Sequence, residues 1–413
     1  MDPTPSRLGR HLGVGDAVVI GLGSMIGAGV FAAFGPAAEA AGAGLLIGLA
    51  IAAAVAFCNA TSSAELAAVH PASGGTYVYG REQLGPFWGY LAGWGFVVGK
   101  TASCAAMALT IGATAAPRAA RPVALAAVAA LTAVNYVGVR KTAALTRAIV
   151  AVVLAALALV VAGAAFGGTA DASRVTHDLG AGGVVGTLQS AALLFFAFAG
   201  YARIATLGEE VHDPARTIPK AIPRALGITL VVYTVVALSA LAAVGPDALS
   251  GSDAPLVTAV RAGDLAGLVP AVRIGGVVAA LGVLLSLIAG VSRTAFAMAA
   301  DGELPRWLAA VHPAHQVPHR AVLATGGVVA LLVTLTDLRG AIGFSSFSVL
   351  GYYAIANASA WTLPRERQRW PRSIAAAGLI GCVTLALTLP LTTVVTGVAV
   401  LTAGALVRVV ETR

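Results

Sequence analysis

From Ser373 to Val407 the chain carries no charged side chain. Comparable apolar runs recur from end to end. A helix of about 20 such residues crosses the ~30 Å hydrocarbon core of a bilayer. Spans are expected near residues 14–40, 43–67, 85–115, 121–138, 147–168, 183–207, 225–245, 271–297, 321–337, 340–362, 373–390 and 392–409. Pro390 lies near the middle of the uncharged run and predicts a tight hairpin between the last two spans. Only 11% of the 413 residues are charged, and 58% are hydrophobic. That is too little charge to cover a water-soluble body of this size. The fold class expected is an all-α membrane protein with about twelve transmembrane helices.

The formal charge of +8 does not point to nucleic acid, because the basic residues stand singly or in small groups between apolar runs. Their distribution reads as topology. With the N-terminus in the cytoplasm, 18 Lys and Arg fall on inside segments and 6 on outside segments, while Lys100 and Arg203 lie within spans. This bias predicts both termini on the cytoplasmic side of a plasma membrane. Cys58, Cys104 and Cys382 all sit in apolar segments, and no His or Cys pair is read as a metal site. Helix packing is expected of them, with no disulfide framework and no metal. The N-terminal stretch through His11 lacks a cleavable leader pattern, so the first helix is expected to be retained. No loop is long enough for a second domain.

Two spans depart from ordinary helix. Gly21, Gly23, Gly27 and Gly29 fall within nine residues and weaken the first span at its middle. A broken helix survives in a membrane only where it lines a cavity or meets a ligand. The half-helix after the break offers free amides to an anion such as a carboxylate. Close packing through small residues is the competing reading. In the sixth span, Phe195 to Arg203 reads Phe-Phe-Ala-Phe-Ala-Gly-Tyr-Ala-Arg. Aromatics beside Ala and Gly there shape a wall near a second break, or a plain aromatic stripe. The two lie five spans apart, as inverted repeats would place them, and paired interruptions point to a transport site.

At these residues the sequence resembles the amino acid–polyamine–organocation permeases. Ile26-Gly27-Ala28-Gly29-Val30-Phe31 is similar to that family's first-helix signature. Pro71 to Tyr77, Asn135 to Arg140, and Ser292-Arg293 followed by Asp301 to Pro305 resemble its later motifs. The fullest match is Phe196 to Tyr201 with Glu209 to Ile222. The resemblance implies a five-plus-five inverted-repeat fold with discontinuous helices 1 and 6. The repeats would cover about 14–168 and 183–362, with two added helices at about 373–409. It implies alternating access and an amino acid or related organic amine as cargo. Carried over, the amides around Gly27, Ala28 and Gly29 hold the substrate carboxylate. Carbonyls near Met25, Phe196 and Ala199 receive its ammonium, Ile26 and Gly200 flank these positions, and Phe196 and Tyr201 form a gate or side-chain pocket. Ala28 replaces the Ser of some relatives. Ala202 replaces an acid common in others.

Intramembrane charges supply the remaining candidates. Lys100 sits mid-span, where an ammonium must pair or give up its proton. It is the candidate for proton coupling, with a structural Lys as the alternative. Ser286, and with it Ser345 and Ser346, are the hydroxyls expected near the cavity, unless they bond back to their own helices. Arg203 is expected to gate or brace the inner vestibule by pairing with Glu209 or Glu210. No nucleophile–base pair and no phosphate loop is present, so an enzyme is not expected, nor any cofactor. The expected function is secondary transport of amino acids, with H+ as the coupling ion and a small or apolar cargo. The alternatives are exchange, or a sensor that binds without flux. Oligomeric state is left open.

Overall fold

The computed structural model describes residues 12–70, 74–138, 143–201, 204 and 211–411. Every regular element among them is helical, and the one β pairing is a bridge between Leu12 and Val211. The helices are α1 Val14–Met25, α2 Ala28–Ala32, α3 Phe34–Ala41, α4 Leu45–Val69, α5 Thr76–Leu84, α6 Pro86–Ala115, α7 Ala120–Val137, α8 Ala143–Phe166, α9 Ser173–Thr176 and α10 Gly183–Phe198. They continue with α11 Pro214–Ser250, α12 Pro255–Arg261, α13 Val269–Ala300, α14 His319–Leu335, α15 Leu338–Trp361, α16 Arg372–Thr388 and α17 Leu391–Glu411.

Nine helical stretches among the described residues are long and apolar enough to cross a membrane, and α14 and α16 are shorter apolar helices. The 24-residue α15 carries Ser345, Ser346, Ser348, Asn357 and Ser359. All five are buried, so this helix meets protein and needs no lipid-compatible surface.

The outer wall is apolar, as a bilayer requires. Val231, Leu335, Ile380 and Leu391 are 64, 73, 67 and 77% exposed. Inside, α6 packs against α13 and α15, while α4 packs against α10, α11 and α16. Small residues allow this closeness. A Cβ on Gly99 would meet Ser348, and one on Gly93 would meet Met298. In α6 72% of the most apolar stretch is buried, against 11% in α17. The first is a central post and the second a peripheral helix.

The first span is interrupted at Ile26–Gly27, where its glycines weaken it, and Ala33 keeps helical geometry between α2 and α3. The structure differs from the expected spans at the seventh. Residues 214–224, expected in an inside loop, join the seventh span in the long helix α11. Pro214 stands at its first turn, where a missing N–H costs nothing. The chain then kinks at Gly245, whose φ of 73° favours glycine.

Polar contacts close the face that carries most of the basic residues. Arg81 of α5 pairs with Asp301 at 3.0 Å and with Glu303 at 2.8 Å, and Arg408 of α17 reaches Glu303 at 3.3 Å. The Tyr77 hydroxyl lies 2.6 Å from Asp301 and 2.8 Å from Glu303. Burial, and then the two carboxylates, push the Tyr77 phenol up, so it keeps its proton as the donor. On the same face, the His212 amide donates to the Leu12 carbonyl at 2.9 Å and Arg147 pairs with Asp16 at 2.7 Å. At the other end, Arg339 bonds Glu39 and the Ser250 carbonyl.

Candidate substrate site

Helix α1 stops at Met25 because the next two residues leave helical geometry. Ile26, at φ −77° and ψ 63°, forms an inverse γ-turn. Across it the Gly27 amide donates to the Met25 carbonyl at 2.7 Å. Gly27 is extended, and α2 starts at Ala28 with no side chain capping it. The amides of Ala28 and Gly29 fill the first two helical positions, which have no acceptor in their own helix. Gly29 lies so close to α10 that a Cβ there would meet the Ala197 backbone at 2.8 Å.

The second interruption comes where α10 ends at Phe198 and tightens into the single 3-10 turn Ala199–Tyr201. It lies directly against the first. A Cβ on Gly200 would land on the Ser24 carbonyl and the Met25 amide. The structure therefore brings together Met25, Ile26, Gly27 and Gly29 of the first break and Ala199, Gly200 and Tyr201 of the second. Phe196, in the last turn of α10, is half-buried, while Phe195, Phe198 and Tyr201 are fully buried. Tyr201 stacks on Tyr353 at 5.0 Å between ring centres.

Carbonyls freed at the breaks are held by two tyrosines from distant helices. The Tyr233 hydroxyl of α11 lies 2.6 Å from the Met25 carbonyl and 3.0 Å from that of Ala197. The Tyr353 hydroxyl of α15 donates to the Ala199 carbonyl at 3.3 Å. Behind Tyr353 runs a fully buried polar seam. Asn357 donates to Asn59 at 2.6 Å and to the Tyr353 carbonyl at 2.9 Å, and Ser62 donates to Asn357 at 2.7 Å. The Cys382 thiol reaches Asn59 at 3.2 Å. The seam joins α4, α15 and α16. The sequence reading missed Tyr233, Tyr353, Asn59 and Asn357. The two asparagines carried a usable signal, since an amide inside an apolar span is costly and rarely idle.

Tyr233→Phe removes the one hydroxyl among the described residues that reaches both halves. It takes a donor from the Ala197 carbonyl and leaves the Met25 carbonyl with the Gly27 amide alone, a loss of about 1–3 kcal/mol. Expected results are a lower apparent melting temperature in detergent and a roughly fivefold slower transport rate. Wild-type values on both counts would show that the hydroxyl is idle.

The other candidates lie as follows. Lys100 is half-buried on α6, and among the described residues no hydrogen bond or ion pair holds its ammonium. Its electrostatic neighbour is Cys104, one turn on. Ser286 is exposed and donates to the Gly282 carbonyl at 2.9 Å, which is the back-bonding alternative. Its helix meets the first break one turn away, through Val283 against Gly27. Ser345 shares a 2.6 Å hydrogen bond with Ser103 of α6, and the buried Ser346 hydroxyl has no partner. Arg203 and Glu209, like Ala202 and Glu210, lie outside the described residues. No group of three or more potential metal ligands occurs among the described residues.

Comparison with known proteins gives a consistent picture. The family described as Amino acid permease matches residues 16–408. An uncharacterized transporter of Mycobacterium tuberculosis is 64% identical over 407 residues, covering 98% of this chain and 92% of that protein. The branched-chain amino acid permease BcaP of Bacillus subtilis is 27% identical over 396 residues, covering 90% of this chain and 84% of the permease. The human cationic amino acid transporter 4 is 30% identical over 395 residues, covering 89% of this chain and 62% of the transporter.

Proposed function

Because this chain belongs to the amino acid permease family, we propose that it is a secondary active transporter that moves amino acids by alternating access, coupled to proton symport. The observation that carries this reading is the contact between the two interruptions, with Gly200 laid against Ser24 and Met25. Under this reading the twelve spans form one domain in the plasma membrane, with both termini cytoplasmic. Two inverted repeats, about 14–168 and 183–362, bring the breaks together, and residues 373–409 add two helices outside them.

In the proposed site the amides of Ala28 and Gly29 take the substrate carboxylate, helped by the positive end of the half-helix. The Gly27 amide joins them when the γ-turn at Ile26 opens. The ammonium takes over carbonyl partners now satisfied by tyrosine, at Met25 and Ala199, with Phe196 and Tyr201 closing over the side chain. Burial of these residues, and the contacts that close both faces, fit an occluded state that must open before loading. Lys100 is the proposed proton carrier, since an unpaired ammonium inside a span calls for a function. Ser286, Arg203 and Glu209 are secondary candidates, the first for coupling and the other two for gating.

A small apolar cargo is favoured over a cationic one. Asp16 and Glu39 are held by Arg147 and Arg339, and Glu65 by the backbone amides of Arg369 and Trp370. None of these carboxylates is available to a basic side chain. The name of the Bacillus relative agrees with this preference and that of the human one does not. Uptake of labelled leucine and arginine into proteoliposomes tests the proposal. Leucine is expected to accumulate above equilibrium when the outside is acid, and a protonophore should abolish the accumulation. Flux that requires internal amino acid would make the protein an exchanger. Saturable binding with no flux would make it a sensor.

A further inference from the structure

The segment between α15 and α16 places Arg365, Arg367, Arg369 and Arg372 around Trp370. Arg365, Gln368, Arg369, Trp370, Pro371 and Arg372 line an open cleft of about 480 Å³. Main-chain and amide contacts fix its walls. The buried Glu65 of α4 accepts the amides of Arg369 and Trp370 at 2.6 and 2.7 Å. The Leu363 carbonyl accepts Gln368 Nε2 at 2.8 Å and an Arg372 guanidinium N–H at 2.9 Å.

This arrangement commits Glu65 to backbone amides, with the Arg369 guanidinium its electrostatic neighbour, and leaves Arg365, Arg367 and Arg372 without an acidic partner among the described residues. Among the described residues none of the four arginines forms an ion pair, and Arg372 Nε is buried without a partner. Glu366 is the one acid in the segment, and it is exposed and pairs with none of them. An open cleft with several guanidinium groups outside ion pairs selects a multivalent oxyanion such as phosphate.

Its position decides the source of that phosphate. The cleft lies where α15 emerges at Trp361, itself 47% exposed, and where α16 begins at Arg372. From there α16 presents Ile380, Val383 and Leu387, exposed by 67, 45 and 61%. An acyl chain would lie along that wall while its headgroup filled the cleft. Basic pockets at the ends of membrane helices recognise acidic lipid headgroups in this way. We propose that the cleft binds the phosphate of an anionic phospholipid, with the acyl chains along the exposed face of α16.

Native mass spectrometry of the full chain, with phosphatidylglycerol and phosphatidylcholine offered together, tests this directly. Wild type should retain phosphatidylglycerol in preference. Arg365→Gln with Arg369→Gln should reduce that preference about fivefold for each guanidinium removed. Arg118→Gln with Arg121→Gln, at the start of α7, should leave it unchanged. Equal retention of both lipids by wild type would overturn the proposal without any variant, and so would full preference in the first double variant. Displacement of phosphatidylglycerol by inorganic phosphate at equal concentration would make the cleft a soluble-anion site and overturn the lipid assignment.

Discussion

Gly200→Ala is expected to lower amino acid uptake at least tenfold while leaving membrane insertion intact. The added methyl group would fall on the Ser24 carbonyl and the Met25 amide. Both are main-chain atoms, so no rotamer change can clear the space. Overpacking of this kind costs about 1–3 kcal/mol, and here the strain falls on the contact between the two interruptions. Either the γ-turn at Ile26 shifts or the 3-10 turn at Ala199–Tyr201 moves away. In both cases the amides and carbonyls assigned to the two ends of a zwitterion lose their spacing. The control is Gly227→Ala on α11, where an added methyl meets nothing within 4 Å. It should transport like wild type. Initial rates in proteoliposomes, normalised to inserted protein, give the comparison. A Gly200→Ala protein within twofold of wild type would remove the close contact from the mechanism.

Lys100→Met should abolish concentrative uptake and its dependence on external acid, a fall of at least tenfold under an inward proton gradient. Methionine keeps an unbranched apolar stem and removes the ammonium, so packing against α6's neighbours changes little. The charge in wild type has no ion-pair partner among the described residues, and such a group in low dielectric is costly to keep. If its role is to take up and release a proton, the variant should still exchange internal for external substrate while failing to accumulate it. Counterflow and net uptake, measured at several external pH values, separate these activities. An unchanged pH profile would assign Lys100 to packing.

Much of this architecture was legible because the bilayer imposes a simple rule on sequence. Apolar length located the helices, and the glycines around Ile26 located the first break, since only a weakened helix stops at Met25. The aromatics beside Ala and Gly after Leu194, five spans further on, marked the second. Other features left little local trace. Tyr233 stands in a run of valines and looks like any membrane tyrosine, yet its hydroxyl reaches a carbonyl 208 positions away in sequence. Tyr353 does the same for Ala199. The extension of α11 back to Pro214 was hidden by Pro219 and Pro223, which read as a loop until neighbouring helices hold them in place. The pairing of Arg81 with Asp301 and Glu303 joins segments that were each legible as motifs, but whose contact is a product of the fold.

Tyr233 offers a last consequence. A phenol has one proton, and two oxygens compete for it, at 2.6 and 3.0 Å. Whichever side retreats first, the proton stays with the other. The ring therefore works as a swivel: separating the two half-sites sacrifices one bond at a time, and the bulk of the molecule need not loosen to let them part.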